Sequence, residues 1–233
     1  MKVYLIPVPI SEEVSFSWQY PFWEKVIEEI QFFFVENERT ARRIVSAIKK
    51  GIPVQERLFF RLNKNTTLPE IEECFTKIPP ESSVGVMSEA GCPGIADPGA
   101  LLVGYAHQKK WEIIPLVGAS SIFLALMSSG LNGQSFVFRG YLPIEKKSRQ
   151  AALYEMAQAA IKYHQTQIFI ETPYRNQELL KELTHILPKS LRLCVACDLT
   201  GKTQYIRTAF ISEWHQTQLP DINKKPTIFL IGE

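Results

Sequence analysis

Residues Met87 to Gly99, MSEAGCPGIADPG, follow directly on the apolar run SVGV and gather three glycines, two prolines, Glu89 and Asp97 into one irregular stretch. In open α/β sheets, ligands sit beyond the carboxyl ends of strands, where loops expose main-chain groups around a crevice. Gly91, Gly94 and Gly99 would bring N–H and C=O groups against a ligand without side-chain interference. A second stretch, IIPLVGASSIFLAL, runs from a strand through Gly118 into a helix expected to carry Ser120 and Ser121 in its first turn. Helix starts hold unsatisfied N–H donors that meet polar ligand groups. Taken singly, the first stretch fits a ligand loop or a tight strand-to-helix connection, and the second a ligand site or a helix capped by Ser120.

The surrounding composition bounds the alternatives. The chain has 233 residues, 45% of them hydrophobic, enough for one large domain or two modest ones with proper cores. The apolar runs IFLALM and QFFFV fall far short of the roughly 20 residues a membrane-spanning helix needs. Pro7 and Pro9 and the missing small-residue cleavage site make MKVYLIPVPI a poor secretory leader, so a cytoplasmic location is expected. Cys194 and Cys197 form a C-x-x-C, but LRLCVACDL reads as a strand, where an offset of three sends side chains to opposite faces. With Cys74 and Cys92 they read as structural thiols rather than a zinc or redox centre. Charge is near balance, 26 basic against 24 acidic residues, with basic clusters at RTARRIVSAIKK and IEKKSRQ. Each cluster alone reads as a solvated helix face.

Strand-like and helix-like segments alternate through the first half: KVYLIPV, PFWEKVIEEI, QFFFV, NERTARRIVSAIKKG, LPEIEECFTKI, SSVGVMS, DPGALLVGYAHQKK and WEIIPLV. That rhythm predicts a parallel sheet covered by helices. Asn37 is placed to cap one helix, Gly51 to end it, and Asp97 with Pro98 to open another. After Gly118 the rhythm changes, and LRLCVACDL followed by KTQYIRTAF across a short TG connection predicts an antiparallel hairpin in a mixed sheet. A boundary near 116–118 gives domains 1–116 and 117–233 without a tether between them.

Taken together, the segments resemble a known family. SEAGCPGIADPG is similar to the S-D-A-G-T-P-x-x-S-D-P-G motif of the tetrapyrrole methylase superfamily, in the branch that methylates a cytidine ribose 2′-hydroxyl of bacterial small-subunit ribosomal RNA. In order along the chain, YLIPVPI, VENERT, IPLVGASSIFLALMSSGL, FVFRGYLP, IFIETPYR and ACDLT resemble that branch's other segments. The resemblance implies an α/β fold of two domains, a mostly parallel N-terminal sheet and a mixed C-terminal one, both flanked by helices. It further implies S-adenosylmethionine bound between them, no metal, and a homodimer. Carried over by position, donor contacts are implied for Pro9, Ala90, Gly91, Cys92, Ile95, Ser120, Ser121, Glu171 and Leu199. Ribosomal RNA or the small ribosomal subunit is the implied partner, with neither DNA nor a membrane.

Departures cluster on the implied substrate side: VPISEE lacks the branch's Gly-Asn, Glu36-Asn37-Glu38-Arg39 replaces E-D-T-R, FFRLNKNT replaces a His-rich segment, Cys92 stands for Thr and Tyr174 for His. Methyl transfer from a sulfonium needs an in-line acceptor and exclusion of water. A hydroxyl acceptor must also lose a proton, so Glu36, Glu38, Glu89 and Glu171 are candidate bases. Arg39 and Arg175 would hold a phosphate or orient a carboxylate, and an inter-domain Glu171 bridge to either is the structural alternative. Arg42, Arg43, Lys146, Lys147 and Arg149 would form an RNA track if their helices bordered one cleft. Three readings follow: an RNA methyltransferase, a small-molecule methylase of the same fold, and a non-catalytic module. The G-x-G-P-G-D opening of tetrapyrrole methylases is absent, which argues against the second.

Overall fold

A computed structural model describes residues 1–11 and 22–233, in two compact units, Met1–Ser120 and Ser121–Glu233. Glu12 and Glu13 of the VPISEE turn, and the Pro21 start expected for the first helix, lie outside the described residues.

The first unit is a five-stranded sheet in the order β3-β2-β4-β1-β5, parallel throughout. Its strands are β1 (Lys2–Leu5), β2 (Phe32–Val35), β3 (Leu58–Arg61), β4 (Ser83–Met87) and β5 (Glu112–Pro115). Its helices are α1 (Phe22–Glu29), α2 (Glu38–Ile48), α3 (Leu68–Thr76) and α4 (Ala100–Gln108). The two-residue alternation of strand side chains divides the core between the faces. Tyr4, Phe33 and Met87 pack with Ile27, Ile44 and Val45 of α1 and α2, while Val3, Phe34 and Val86 pack with Ile71, Phe75, Leu102 and Ala106 of α3 and α4. Both faces are covered, so the strands are almost wholly apolar.

Three local expectations are corrected here. β3 has no counterpart in the expected elements; its LFFR run is short and lies at the sheet edge, so two of its side chains are exposed, two are half-buried and the pattern is weak. Asp97 does not open α4. Gly99 stands at the cap position with φ +142°, and no side chain bonds the helix start, because Gly94 N–H donates to Pro98 O and folds the preceding residues into a turn. Asn37 does cap α2, its Oδ1 accepting from the amides of Arg39 at 3.0 Å and Thr40 at 3.3 Å, but the helix closes at Lys49, before Gly51.

The second unit carries strands β6 (Phe136–Tyr141), β7 (Thr166–Ile170), β8 (Arg192–Cys197), β9 (Tyr205–Phe210) and β10 (Thr227–Gly232) in the order β6-β7-β10-β8-β9. Only β6 and β7 are parallel, so the sheet is mixed. α5 (Ser121–Ser129) packs on β8, β9 and β10; α6 (Lys146–Tyr163), α7 (Asn176–Ile186) and α8 (Ile211–Trp214) complete the unit. Leu153, Leu180, Phe169, Val195, Trp214 and Phe229 centre its core. β8 and β9 form the expected hairpin, but the turn spans 198–204, with Asp198 accepting from the Thr203 amide at 3.0 Å. Cys197 joins the α6/α7 core, whereas Cys194 pairs in register with Thr208; burial pushes both thiols up.

Candidate donor-binding edge

Because β2, β4, β1 and β5 are adjacent and parallel, the segments leaving them meet along one edge of the first unit. After β1, Val8 exchanges two main-chain hydrogen bonds with Gly91 of the β4 loop, Val8 N to Gly91 O at 2.8 Å and Gly91 N to Val8 O at 3.0 Å. Gly91 takes φ +71°, which glycine adopts without strain. The segment after β5 closes on the same point. Cys92 Sγ donates to Ala119 O at 3.4 Å, and Gly118 lies so close to Pro7 that a Cβ there would fall 2.3 Å from Pro7 Cβ. Three loops are therefore locked through main chain and a proline ring.

The β4 loop itself is held by two internal bonds, Gly94 N to Pro98 O at 3.2 Å and Ile95 N to Cys92 O at 3.3 Å. Ala90, Ile95 and Ala96 stay exposed on it, and Ala96 adopts φ +64°, in the left-handed region. The loop thus presents the apolar side chains of Ala90, Ile95 and Ala96 outward. Ser120 directly precedes α5 instead of lying in its first turn, which begins at Ser121.

A carboxylate cluster borders the loop. Glu36, leaving β2, accepts the Glu89 amide at 3.3 Å, and Glu89 accepts Thr40 Oγ1 at 3.5 Å. Burial first, then the Glu36 and Glu89 charges, push Asp97 up to about 6. Burial, reinforced by the Glu89 charge and outweighing the Glu89 amide, also raises Glu36. Asp97 joins this carboxylate cluster, which the sequence did not reveal; its place within the quoted loop was the available signal, spent on a helix cap it does not form. An acid raised in the folded state binds more protons there than in the unfolded chain, so stability falls as pH rises from about 4 to about 6 and the penalty is complete above that. Asp97→Asn should therefore raise stability at pH 7.5 by about 1 kcal/mol, a figure reduced for partial solvent screening. Thermal melting from pH 4 to 8 checks it: the gain should vanish toward pH 4, and an equal gain at every pH would assign it to something other than the charge.

The other expected residues divide between the units. Pro9, Ala90, Gly91, Cys92, Ile95 and Ser120 lie on the three loops of the first unit, and Arg39 on the exposed first turn of α2. Ser121, Glu171 and Leu199 belong to the second. Glu171 ends β7 and is buried; it accepts the Thr172 amide at 2.6 Å and Arg175 Nη2 at 2.5 Å. Its ion pair is thus with Arg175, in its own unit. Of the expected RNA track, Arg42 is engaged by Glu38 and Val54 O, and Arg149 by Glu182 and Ile144 O. Those two guanidiniums brace their helices; Lys146 and Lys147 remain exposed.

No protein-family model matches the chain. Ribosomal RNA small subunit methyltransferase I of Vibrio cholerae is 27% identical over 223 residues, 96% of this chain and 73% of that protein. The Helicobacter pylori protein of the same name is also 27% identical, over 99% of this chain and 82% of its own length. The Synechocystis one reaches 36% over 129 residues, 55% of this chain and 45% of its own. This chain is a divergent relative of those methyltransferases. Among solved structures, the methyltransferase CobJ superposes with a TM-score of 0.63 at 17% identity, covering 100% of this chain and 93% of that one. Uroporphyrin III C-methyl transferase from Thermus thermophilus gives 0.58 at 13%, covering 100% and 98%. The fold is that of the tetrapyrrole methylases. Among the described residues no helix is long and apolar enough to cross a membrane.

Proposed function

We propose that this chain is an S-adenosylmethionine-dependent methyltransferase whose acceptor is a ribose 2′-hydroxyl of ribosomal RNA in the small subunit. The observation that carries the donor assignment is the interlocked edge of Val8, Gly91 and Gly118, where any side chain on Gly118 would fill the space the loops share with Pro7. Such an edge suits a ligand read by main chain. Pro9, Ala90, Gly91, Cys92, Ile95 and Ser120 would hold the donor there, and Ser121, Glu171 and Leu199 are proposed from the second unit on the resemblance alone. When bound, the donor supplies an electrophilic methyl on a sulfonium.

The chain's own work is then to orient the acceptor, exclude water and hold the departing proton. Glu36, Glu89 and Asp97 form the group suited to the last task, since a carboxyl raised toward neutrality takes up a proton near pH 7 more readily than an ordinary one. Arg39, exposed beside Glu38 and without an ion-pair partner among the described residues, would meet a phosphate. The relatives' names support ribosomal RNA as substrate; a homodimer acting in the cytoplasm is proposed on the motif resemblance in the sequence alone. The likeness to a uroporphyrin methylase supports a second acceptor, a tetrapyrrole.

The test is incubation of the purified chain with methyl-labelled donor and either unmodified small ribosomal subunits or uroporphyrinogen III. Label at one ribose 2′-oxygen of the RNA is expected. Label confined to the tetrapyrrole, or in neither, contradicts the proposal.

A further inference from the structure

Two of the chain's four histidines meet in the second unit. His185 lies in the last turn of α7, and His215 follows α8 at its cap position. Their ring centroids are 5.5 Å apart and the ring planes stand at 73°. α7 runs 11 residues, about 16 Å, so the pair lies at the end of that helix opposite Glu171 and Arg175. Both imidazoles are exposed, but the backbone under each is fixed. Leu183 and Trp214 are buried beside them, and Trp214 Nε1 donates to Leu193 O at 3.1 Å. Two main-chain bonds, Ile211 N to Leu191 O at 2.9 Å and Ser212 N to Lys189 O at 3.4 Å, tie α8 to the segment that follows α7.

The hydrogen bonds leave nitrogen lone pairs to offer. His185 Nδ1 lies 2.6 Å from Lys181 O. A carbonyl only accepts, so Nδ1 carries the proton and Nε2 of the neutral ring keeps its lone pair. A backbone carbonyl held by one ring nitrogen is also what orients a histidine whose other nitrogen binds a metal. The ring nitrogens of His215 have no hydrogen-bond partner among the described residues. The last turn of α7 adds the negative end of its helix dipole, which favours a cation there. The spacing fits as well. With metal–nitrogen bonds of about 2.1 Å and a ring centre roughly 1.1 Å behind each nitrogen, two imidazoles on one tetrahedral ion stand about 5 Å apart.

We infer that His185 and His215 form a two-histidine site for a divalent transition-metal ion of the Ni²⁺, Cu²⁺ and Zn²⁺ class, which joins the end of α7 to the segment after α8. Among the described residues no three His, Cys, Asp or Glu side chains gather in a way that could hold a metal, so the protein supplies two ligands and water the rest. Imidazole nitrogen suits these ions, whereas Mg²⁺ and Ca²⁺ take oxygen ligands. An ion held by both rings binds the folded chain better than the unfolded one and so stabilises it. Neither histidine belongs to the residues proposed for methyl transfer, and the inference stands or falls apart from that reading.

Calorimetric titration of the full, tag-free chain with NiCl₂, paired with melting curves in Ni²⁺, in Mg²⁺ and in excess EDTA, tests the site. Wild type should bind one Ni²⁺ per chain and melt at a higher temperature in Ni²⁺, with EDTA reversing the shift and Mg²⁺ producing none. Loss of an outer-shell partner alone costs about 10–100-fold in metal affinity, so His185→Ala and His215→Ala should each weaken Ni²⁺ at least about 10-fold and remove the melting shift. Both side chains are exposed, and melting without metal checks that each variant folds. His107→Ala, exposed in the first unit, is the control and should bind as wild type does. Absence of Ni²⁺ binding by wild type, retention of wild-type affinity by either His185→Ala or His215→Ala, or an equal shift in Mg²⁺ would overturn the inference.

Discussion

Gly118→Ala is expected to destabilise the protein by about 2–3 kcal/mol, at the upper end of overpacking costs, and to weaken S-adenosylhomocysteine binding at least about 10-fold. The added Cβ would lie 2.3 Å from Pro7 Cβ and 2.7 Å from Pro7 Cγ. A proline ring cannot rotate away as a long side chain can, so the segment after β5 must move off the segment after β1. That shift would carry Ala119 O from Cys92 and so loosen the β4 loop as well. Urea denaturation reads the first effect and calorimetry the second. Gly104→Ala in α4 is the control: nothing lies within 4 Å of a Cβ there, and a helical glycine replaced by alanine should gain about 0.5–1 kcal/mol. Equal behaviour of the two variants would remove the steric argument.

Glu171→Ala is expected to cost about 1–3 kcal/mol. The side chain is 1% exposed and holds Arg175, whose Nε already lacks a partner in a buried position. Deleting the carboxylate removes its bonds to the Thr172 amide and to Arg175, whose side chain is 37% exposed and is rehydrated in part, so the cost falls below that of breaking a fully buried pair. The pH signature is specific. Burial alone would raise Glu171, but hydrogen bonds from Arg175 and the Thr172 amide outweigh it and hold the carboxyl below its usual range. The unfolded chain then binds the proton first, so the contribution is complete above about pH 4.3, the ordinary glutamate value, and is lost as pH falls through the lower folded value. Denaturation of wild type and Glu171→Ala from pH 2 to 7 should show curves that converge in acid. A constant gap across that range would assign the loss to packing.

The fold could be read from the sequence where local signals agreed. Strand and helix alternation through Pro115 gave the parallel sheet, because both faces are covered and the strands are nearly continuous apolar runs. The hairpin of β8 and β9 was visible in two adjacent β-rich runs. β3 escaped because an edge strand of four residues, two of them exposed, carries little pattern. Asp97 was misassigned for a related reason: Asp-Pro before an apolar run is an N-terminal signal, but Gly99 at φ +142° turns the chain after it, and only the fold brings Glu36 and Glu89 alongside. Likewise the close approach of Gly118 to Pro7 joins residues more than a hundred positions apart, which no local pattern encodes. Individual loop residues were identifiable from their motif; their interlocking was not.

The donor site proposed above is built from main-chain groups of the segments after β1, β4 and β5. Amide chemical-shift mapping of isotope-labelled protein titrated with S-adenosylhomocysteine tests it residue by residue. The largest changes are expected at Gly91, Cys92, Ile95, Gly118, Ala119 and Ser120, saturating together with one dissociation constant. Changes absent from those amides, or confined to other parts of the chain at saturation, would contradict it.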